Sequence, residues 1–212
     1  YMAVLDPVKL VITNYPETAE ILTADNNPQD ESRGIREIPF SRELWVERED
    51  YRKEPQNRKY FRMAPEKDVR LKAAYILRIE GHEEDGDGNV TQINATYYPE
   101  SRSGNDTSGI KAKGTLHWVD AATAIDLEVR NYEKLFTDPT PMDHEDKDFM
   151  DFINPQSLTI ITAKGEPALA KTKAGDTFQF LRKGYYTADE DSTSKKMVFN
   201  LTCGLKSSWP SP

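Results

Sequence analysis

The stretch KYFRMAPEKDVRLKAAYILRI, residues 59–79, decides the fold class because its second half alternates apolar and polar side chains. A period of two is typical of a half-buried β-strand. The pattern predicts a strand over residues 69–79 whose core-facing positions are Val69, Leu71, Ala73, Tyr75, Leu77 and Ile79. Arg70 and Lys72 would then project together from the other face, about 7 Å apart.

Further segments show the same strand signals, and turn-rich connections separate them. They predict strands over residues 8–12, 43–47, 90–98, 111–119, 124–132, 157–162, 177–186 and 196–203. Helical signals are short and are confined to residues 48–53, 146–152 and 166–170. Many short strands with a few short helices predict an all-β protein of the barrel or sandwich class.

The order of these elements is repeated along the chain. Residues 6–10 are similar to residues 154–158, because each of these two segments begins an aliphatic strand. Residues 68–71 are similar in the same way to residues 176–179. An acidic hairpin follows in both halves, so the sequence predicts two related β units. The segment FQFLRKGYY, residues 178–186, places Gln179, Arg182 and Lys183 at the position equivalent to Arg70 and Lys72. Two such strands can face a shared cleft.

The opening stretch is also a basic island in an acidic chain. Six cations between residues 59 and 78 stand against two acids, Glu66 and Asp68, whereas the whole chain carries a formal net charge of -8 and has a pI near 5.0. Binding of nucleic acid would therefore have to rest on a local patch. Tyr60, Phe61 and Arg62 could supply rings for stacking and a guanidinium for base edges or phosphates. Pairing of these cations with Glu66 and Asp68 is the alternative.

Catalytic and metal-binding signals are weak in this sequence. Cys203 is the single cysteine, which excludes an internal disulfide and a thiolate-bound zinc or iron-sulfur site. Residues 84–89 fit a tight hairpin better than a calcium loop, and phosphate-binding loops and a nucleophile elbow are absent from the sequence. We therefore expect no catalytic residue, no metal site and no cofactor in this chain. The lack of an export signal or a long apolar run predicts a cytoplasmic protein without a membrane partner.

Several motifs together resemble one family, the C-terminal anticodon-binding region of glutaminyl-tRNA synthetase, a class I aminoacyl-tRNA synthetase. They are MAVLDPVKLVI (2–12), IREIPFSRELWVEREDYR (35–52), KYFRMAPEKDVRLKAAYI (59–76), KGTLHWVDAATA (113–124), EVRNYEKLF (128–136), FINPQSL (152–158) and FQFLRKGYY (178–186). The resemblance implies two β-barrels of the kind found in the 5S-RNA-binding ribosomal protein, with an exchanged N-terminal strand. It implies a first barrel of residues 9–118 and a second of residues 1–8 and 119–212.

The resemblance also implies a function. Such a module reads the glutamine anticodon so that a catalytic domain, whose motifs are missing here, can join glutamine to tRNA with ATP and magnesium. The chain is expected to be a fragment of a larger glutamine-tRNA ligase that is inactive alone. Its expected partners are glutamine tRNA and the catalytic domain of the same polypeptide, but not DNA, and it is expected to be a monomer.

The family's base-reading residues carry over at matching positions. Arg62 is implied to contact the third anticodon base, a guanine, and Arg70 the first base. Gln179 and Arg182, with the loop residue Pro28, are implied to hold the central uridine. Gln29 stands where asparagine is expected, and Lys72 stands where arginine is common; lysine keeps a phosphate contact but loses the planar two-bond geometry.

Two alternatives stay open at this point. One is the related module of an archaeal or eukaryotic-type glutamyl-tRNA synthetase, which shares the barrels. The other is a carbohydrate-binding β-sandwich, suggested by Trp45, Trp118, the ten tyrosines and four matches to the N-glycosylation pattern. Competition between tRNAs would separate the first, and binding of a glycan without tRNA binding would favour the second.

Overall fold

The computed structural model of the protein describes residues 1–55, 57 and 59–205. Residues 206–212, which the predicted second barrel includes, lie outside this part of the chain. Within the described residues the backbone forms fifteen strands, labelled β1 to β15 in chain order. The strands are Ala3–Val4, Pro7–Ile12, Glu20–Asp25, Ile35–Phe40, Glu43–Glu47, Asp68–Leu71, Ile76–Glu84, Val90–Tyr97, Thr115–Leu116, Val119–Asp120, Ile125–Tyr132, Leu158–Gly165, Thr177–Phe180, Gly184–Ala188 and Met197–Gly204.

The helices are single turns of 3-10 type, and three of them fall in the segments where the sequence predicts short helices. Those of the described residues are Glu31–Arg33, Arg48–Asp50, Pro99–Ser101, Phe149–Phe152 and Pro167–Lys171. The prediction of an all-β protein with a few short helices is therefore confirmed.

Two large curled sheets account for most of the strands. The seven-stranded sheet has the order β10-β5-β2-β8-β7-β6-β9, the six-stranded sheet has the order β1-β12-β11-β15-β14-β13, and β3 pairs with β4 in a separate hairpin. From β5 to β6 and from β12 to β13 the pairings follow one sequence: antiparallel, parallel, antiparallel, antiparallel. The prediction of two related barrel-like units is confirmed.

The sheet order corrects one of the predicted correspondences between the units. β2 is equivalent to β11, because each pairs in parallel with a later strand of its own sheet, β8 or β15. Residues 154–158 lead instead into β12, which occupies the place of β5, so their proposed equivalence with residues 6–10 is wrong. The equivalence of residues 68–71 with residues 176–179 holds, since β6 and β13 take the same place.

Each large sheet has its own apolar core, and the N-terminal segment contributes to both. Leu10, Phe40 and Trp118 lie in the core of the seven-stranded sheet, and Phe180 and Phe199 lie in that of the six-stranded sheet.

Successive side chains at the N-terminus point alternately into the two cores. Met2 and Val4 pack into the first core while Ala3, on the opposite face, packs into the second. β1 pairs with β12, whereas β2 pairs with β5 and β8 in the other sheet. The exchanged N-terminal strand is therefore present, and the division of the chain at residues 8–9 and 118–119 stays a prediction.

The strand predicted over residues 69–79 is wrong, because this stretch is a hairpin. β6 ends at Leu71 and β7 begins at Ile76, and Val69 pairs with Leu77 across the turn. The four connecting residues keep the alternation in phase, so Val69, Leu71, Leu77 and Ile79 are all buried although they lie on two strands. Ala73 adopts a positive φ of 58° in the turn, although the turn contains no glycine or asparagine that would predict this conformation. Lys72 thus lies in a turn, beyond the strand that carries Arg70.

The strand predicted over residues 177–186 is wrong for the same reason. β13 ends at Phe180 and β14 begins at Gly184, and the two strands pair antiparallel. Arg182 lies in the intervening turn with a positive φ of 66°. The two basic segments are therefore equivalent hairpins in the two units, and each presents a cation from its turn.

Candidate nucleic-acid interface

A cleft between the two large sheets gathers residues from both units. Its main cavity has a volume of about 590 Å³. Pro28 and Gln29 reach it from the loop after β3, Lys72 from the turn after β6, and Gln179 from β13. Four of the seven predicted site residues therefore line one cavity, as the prediction of a shared cleft requires.

Two smaller cavities extend this cleft along the seven-stranded sheet. Arg70 lines a cavity of about 380 Å³ that shares Pro28 and Lys72 with the main one. Arg62 and Arg182 line a cavity of about 310 Å³, which adjoins the second at Thr115. All seven predicted residues thus line three cavities, each of which shares at least one lining residue with another.

Arg70 is held rigidly at the edge of β6. One terminal nitrogen, Nη1, donates to the carbonyl oxygen of Ser101 at 2.8 Å and to Oγ of Ser103 at 3.3 Å. The other, Nη2, pairs with Asp106. Hydrogen bonds from Ser108, and then the Arg70 guanidinium, hold the pKa of the Asp106 carboxyl below its ordinary range, so this partner is charged at neutral pH.

The alternative of pairing with the nearest acids applies to a different cation of the island. Arg78 Nη1 lies 3.5 Å from Asp68 Oδ1, which leaves Arg78 in a local surface pair. Arg70 uses a carboxylate from a separate loop instead, so the two cations have different roles.

Arg62 and Arg182 share a single carboxylate, that of Asp50. Arg182 binds it with two hydrogen bonds, Nη1 to Oδ2 at 2.5 Å and Nη2 to Oδ1 at 2.7 Å. Arg62 Nη1 lies 3.0 Å from Oδ1 of the same side chain. The hydrogen bonds to Asp50 raise the pKa of the Arg182 guanidinium against the opposing effect of burial. Asp50 is only 1% exposed, which makes this a buried ionic junction between the two units.

Lys72 differs from these arginines because its amine makes no salt bridge within the described part of the chain. Its backbone is well fixed: the amide donates to Leu116 at 2.8 Å and the carbonyl accepts from Trp118 Nε1 at 2.9 Å. The side chain therefore points a cation into the cleft from a rigid turn. This suits a phosphate contact, since an ammonium acts as a point charge without directional pairing.

The two aromatic side chains beside Arg62 have unequal exposure. Tyr60 is fixed by its hydroxyl, which donates to the carbonyl oxygen of Asp50 at 2.8 Å. Phe61 is 43% exposed, and the Lys113 amine lies 5.0 Å from its ring centroid. Phe61 is therefore the better placed of the two to stack on an unpaired base.

The sequence analysis missed the acids that hold the site together. Asp50 and Asp106 are the partners of three predicted base readers, and Glu47 pairs with Lys183, the residue after Arg182. Nothing in the run of acids at residues 47, 49 and 50 distinguishes the exposed Glu49 from its two buried neighbours. Glu47 is buried at the end of β5, and Asp50 is the buried residue of the helical turn Arg48–Asp50.

Glu47 anchors the crossing of the N-terminal segment from one sheet to the other. Its carboxylate accepts from the amides of Leu5 at 2.7 Å and Asp6 at 3.3 Å, and it lies 3.2 Å from His117 Nε2. Lys183 adds a salt bridge at 3.1 Å. Burial alone would raise the pKa of Glu47, but the hydrogen bond from His117 and the charge of Lys183 together lower it.

We expect the substitution Glu47→Gln to remove a stabilising contribution that depends on pH. A carboxyl whose folded-state pKa is depressed stabilises the fold above its unfolded pKa, and this contribution is lost as pH falls through the folded value. The difference in unfolding free energy between wild type and variant should therefore be constant from pH 7 down to the ordinary glutamate pKa of 4.5 and shrink below it. Urea unfolding followed by circular dichroism over this range measures it. A difference that grows on acidification would contradict the assignment.

Trp118 and Trp45, the two tryptophans that suggest the carbohydrate-binding alternative, are both covered by other side chains. Trp118 is fully buried against Phe40, with the ring centroids 4.9 Å apart. Trp45 lies beneath the amines of Lys9 and Lys164, 6.0 Å and 5.7 Å from its ring. Neither tryptophan offers the open face on which a sugar could stack.

Metal-binding groups are dispersed over the part of the chain that the structure describes. Among those residues no three His, Cys, Asp or Glu side chains are placed to hold an ion. The described part of the chain also contains no helix long and apolar enough to cross a membrane.

Comparison with protein families matches the chain in two consecutive parts. A family model described as tRNA synthetases class I (E and Q), anti-codon binding domain, matches residues 1–98. A second model with the same description matches residues 115–189. The two matches together include every strand of both large sheets except β15.

Curated relatives match along nearly the whole chain. A glutamine–tRNA ligase of Rhodopirellula baltica is 50% identical over 210 residues, which are 98% of this chain and 35% of the relative. The glutamine–tRNA ligases of Vibrio campbellii and Photobacterium profundum are 47% and 45% identical, again over 98% of this chain and 37% of their own length. The chain thus spans little more than a third of the relatives that it matches.

Proposed function

The chain belongs to the family of anticodon-binding domains of the class I tRNA synthetases (E and Q), and we propose that it reads the anticodon of glutamine tRNA. One observation carries the proposal. The cleft between the two units gathers Arg62, Arg70, Gln179, Arg182, Pro28, Gln29 and Lys72, the full set that the resemblance assigns to anticodon binding. Adjoining cavities of this kind suit unstacked bases that are splayed apart and bound singly.

The proposed base contacts agree with the donors that the cleft presents. Within the described residues, Nε and Nη2 of Arg62 make no hydrogen bond, and together they form one flat edge of the guanidinium. Such an edge can donate to O6 and N7 of guanine at once. Gln179 offers an amide that both donates and accepts, which matches the mixed edge of uridine. Pro28 closes the same cavity with an apolar wall.

Lys72 and Gln29 are proposed to bind the RNA backbone. Lys72 is shared by the main cavity and the one that contains Arg70, so a phosphate near it would join the two base sites. The chain as a whole carries a net charge of -8, which would disfavour RNA binding away from this cleft.

The activity of the whole protein is part of the proposal. We infer that a longer polypeptide containing this chain joins glutamine to its tRNA with ATP and magnesium, and that the catalytic domain of that polypeptide is a partner of the present chain. The names of the relatives and their greater length support this inference. On this proposal the chain alone has no ligase activity, is monomeric, binds no DNA, and acts in the cytoplasm.

A glutamate-specific module is the second candidate, because the family description covers both enzymes. The relatives named above are glutamine–tRNA ligases at 45–50% identity, which favours glutamine. Competition of unlabelled glutamine and glutamate tRNAs for the chain decides between the two.

We expect a glutamine tRNA transcript to bind this chain with steep salt dependence. Contacts from Lys72 and neighbouring cations to phosphates release counterions, so affinity should fall on the order of tenfold between roughly 50 and 200 mM salt. Fluorescence anisotropy with labelled transcript measures it, and a transcript with a scrambled anticodon is the control. Equal affinity for the two transcripts at every salt concentration would sink the claim of specificity.

A further inference from the structure

We propose that Asp50 couples the reading of two anticodon bases, because one carboxylate holds both of the arginines assigned to them. The inference rests on the proposed function, in which Arg62 contacts the third base and Arg182 the central one. Asp50 is a positioning residue here, since it acts on the RNA through these two side chains.

The two guanidinium groups meet at a single oxygen atom. Oδ1 of Asp50 accepts from Arg182 Nη2 at 2.7 Å and lies 3.0 Å from Arg62 Nη1. Oδ2 is occupied by Arg182 Nη1 at 2.5 Å. Arg182 therefore has the two-bond geometry, and Arg62 has a single contact to an oxygen that is already in use. A shift of either guanidinium would therefore change how strongly Oδ1 of Asp50 attracts the other guanidinium.

The backbone of Asp50 fixes the loop that carries Arg62. Its carbonyl oxygen accepts from the Tyr60 hydroxyl at 2.8 Å and from the Met63 amide at 2.9 Å, on either side of Arg62. Arg182 comes from the β13–β14 turn of the other unit and has a left-handed backbone. Asp50 is thus the point at which a loop of one unit and a turn of the other are tied by one side chain.

This arrangement leaves a defined part of each arginine for RNA. Asp50 lies against Nη1 of Arg62, Nε and Nη2 make no hydrogen bond within the described residues, and the Arg62 side chain is 44% exposed and lines the cavity. Arg182 is 30% exposed. Its Nη1 contacts both Asp50 and, at 3.4 Å, Nδ1 of His117, which leaves Nε and the second N–H of Nη2 without a partner among the described residues. Removing the negative charge of Asp50 would release both groups together, because each relies on the same charge-assisted contact.

Arg70 provides an internal comparison. Its carboxylate partner is Asp106, which accepts hydrogen bonds from the Ser108 amide and hydroxyl. Asp106 and Ser108 lie in a loop that is separate from Asp50. Reading of the first base should therefore be independent of Asp50, whereas reading of the central and third bases should not.

The test is a set of binding measurements on the 212-residue chain with glutamine tRNA transcripts. The transcripts carry the original anticodon, a change at the first, central or third base, or changes at both the central and third bases. For the wild type, the penalty of the double change should differ from the product of the two single penalties, because sites that share a partner do not act additively. In Asp50→Asn, discrimination at the central and third bases should each fall by about tenfold or more, while discrimination at the first base persists.

Matched variants separate this result from a general loss of charge. Asp106→Asn should reduce discrimination at the first base alone. Glu128→Gln, which removes a carboxylate that pairs with Arg130 and Lys196 outside the cleft, should leave all three bases discriminated. Thermal unfolding by circular dichroism checks that each variant is folded. Asp50→Glu is a further comparison, because it retains the negative charge. If Asp50→Asn does not fold, the wild-type double-change measurement decides the question by itself.

Two results would overturn the coupling. One is wild-type penalties at the central and third bases that multiply independently; the other is a folded Asp50→Asn that loses discrimination at one base only or at none. A wild-type chain that binds every anticodon equally would instead refute the proposed function.

Discussion

Replacement of Glu166 by alanine is expected to lower the free energy of unfolding by about 3–5 kcal/mol. Glu166 Oε1 lies 2.6 Å from Arg36 Nε, and the two side chains are only 2% and 10% exposed. The pair joins β4 to the helix turn Pro167–Lys171, which belong to different units. Without the carboxylate, the guanidinium stays buried without its partner charge, and urea unfolding at neutral pH measures the cost.

The same substitution should also weaken RNA binding, because Arg36 supports the hairpin that carries Pro28. Arg36 Nη1 donates to the carbonyl oxygen of Asp25 at 2.6 Å, and its guanidinium lies over the Tyr1 ring at 4.4 Å. Both contacts shape the wall of the main cavity. Loss of the Glu166 partner therefore loosens one side of the cleft.

Glu43→Ala is the matched control for the loss of an ion pair. Glu43 pairs with Lys9 at 3.0 Å between neighbouring strands, but the two side chains are 52% and 34% exposed. An exposed pair contributes about 0–1 kcal/mol. Equal destabilisation by the two substitutions would show that burial of the Glu166–Arg36 pair is not what makes it important.

Gly114→Ala is expected to destabilise the protein by about 1–3 kcal/mol and to displace the loop of Arg62. A β-carbon added at Gly114 would lie 1.7 Å from the carbonyl oxygen of Phe61, a backbone atom that cannot rotate away. The loop would have to move off the sheet and take Arg62 with it. Urea unfolding reports the first effect, and loss of discrimination at the third anticodon base reports the second.

Gly86→Ala is the control for added volume, since the hairpin turn leaves nothing within 4 Å of its new β-carbon. It should leave stability and RNA binding close to those of the wild type. A Gly114→Ala protein that is as stable and as selective as Gly86→Ala would mean that the close approach of Phe61 to Gly114 has no consequence in solution.

The alternation of side chains was sufficient to predict the fold class but not the course of the chain between strands. Residues 43–47 form the predicted strand with the predicted bounds. Residues 69–79 and 177–186 turn back on themselves, because an alternating pattern can continue through a turn that lacks glycine or proline. The strand predicted over residues 111–119 is reduced to the two-residue strands β9 and β10.

The β3–β4 hairpin was missed because it carries almost no burial signal. Leu22 is the one buried residue of β3, and Pro39 interrupts the pattern of β4. The hairpin nevertheless positions Pro28 and Gln29, which sequence analysis could assign only through the family resemblance.

The cations of the site could be predicted from the sequence, but their partners could not. The sequence predicts two equivalent polar-basic strands facing a shared cleft, one with Arg70 and Lys72 and the other with Gln179, Arg182 and Lys183. Asp50 is brought to Arg182 and Asp106 to Arg70 by loop closure over 132 and 36 residues of separation, respectively. Contacts at such distances along the chain leave no local pattern to read.

The most direct measurement is the affinity of the 212-residue chain for two glutamine tRNA transcripts that differ only in the central anticodon base. Gln179, Arg182 and Pro28 are proposed to hold the uridine at this position, at the junction of both units. Its replacement by cytidine is expected to weaken binding by about 1–3 kcal/mol. Equal affinity for the two transcripts, under conditions where both bind, would contradict anticodon reading by this cleft.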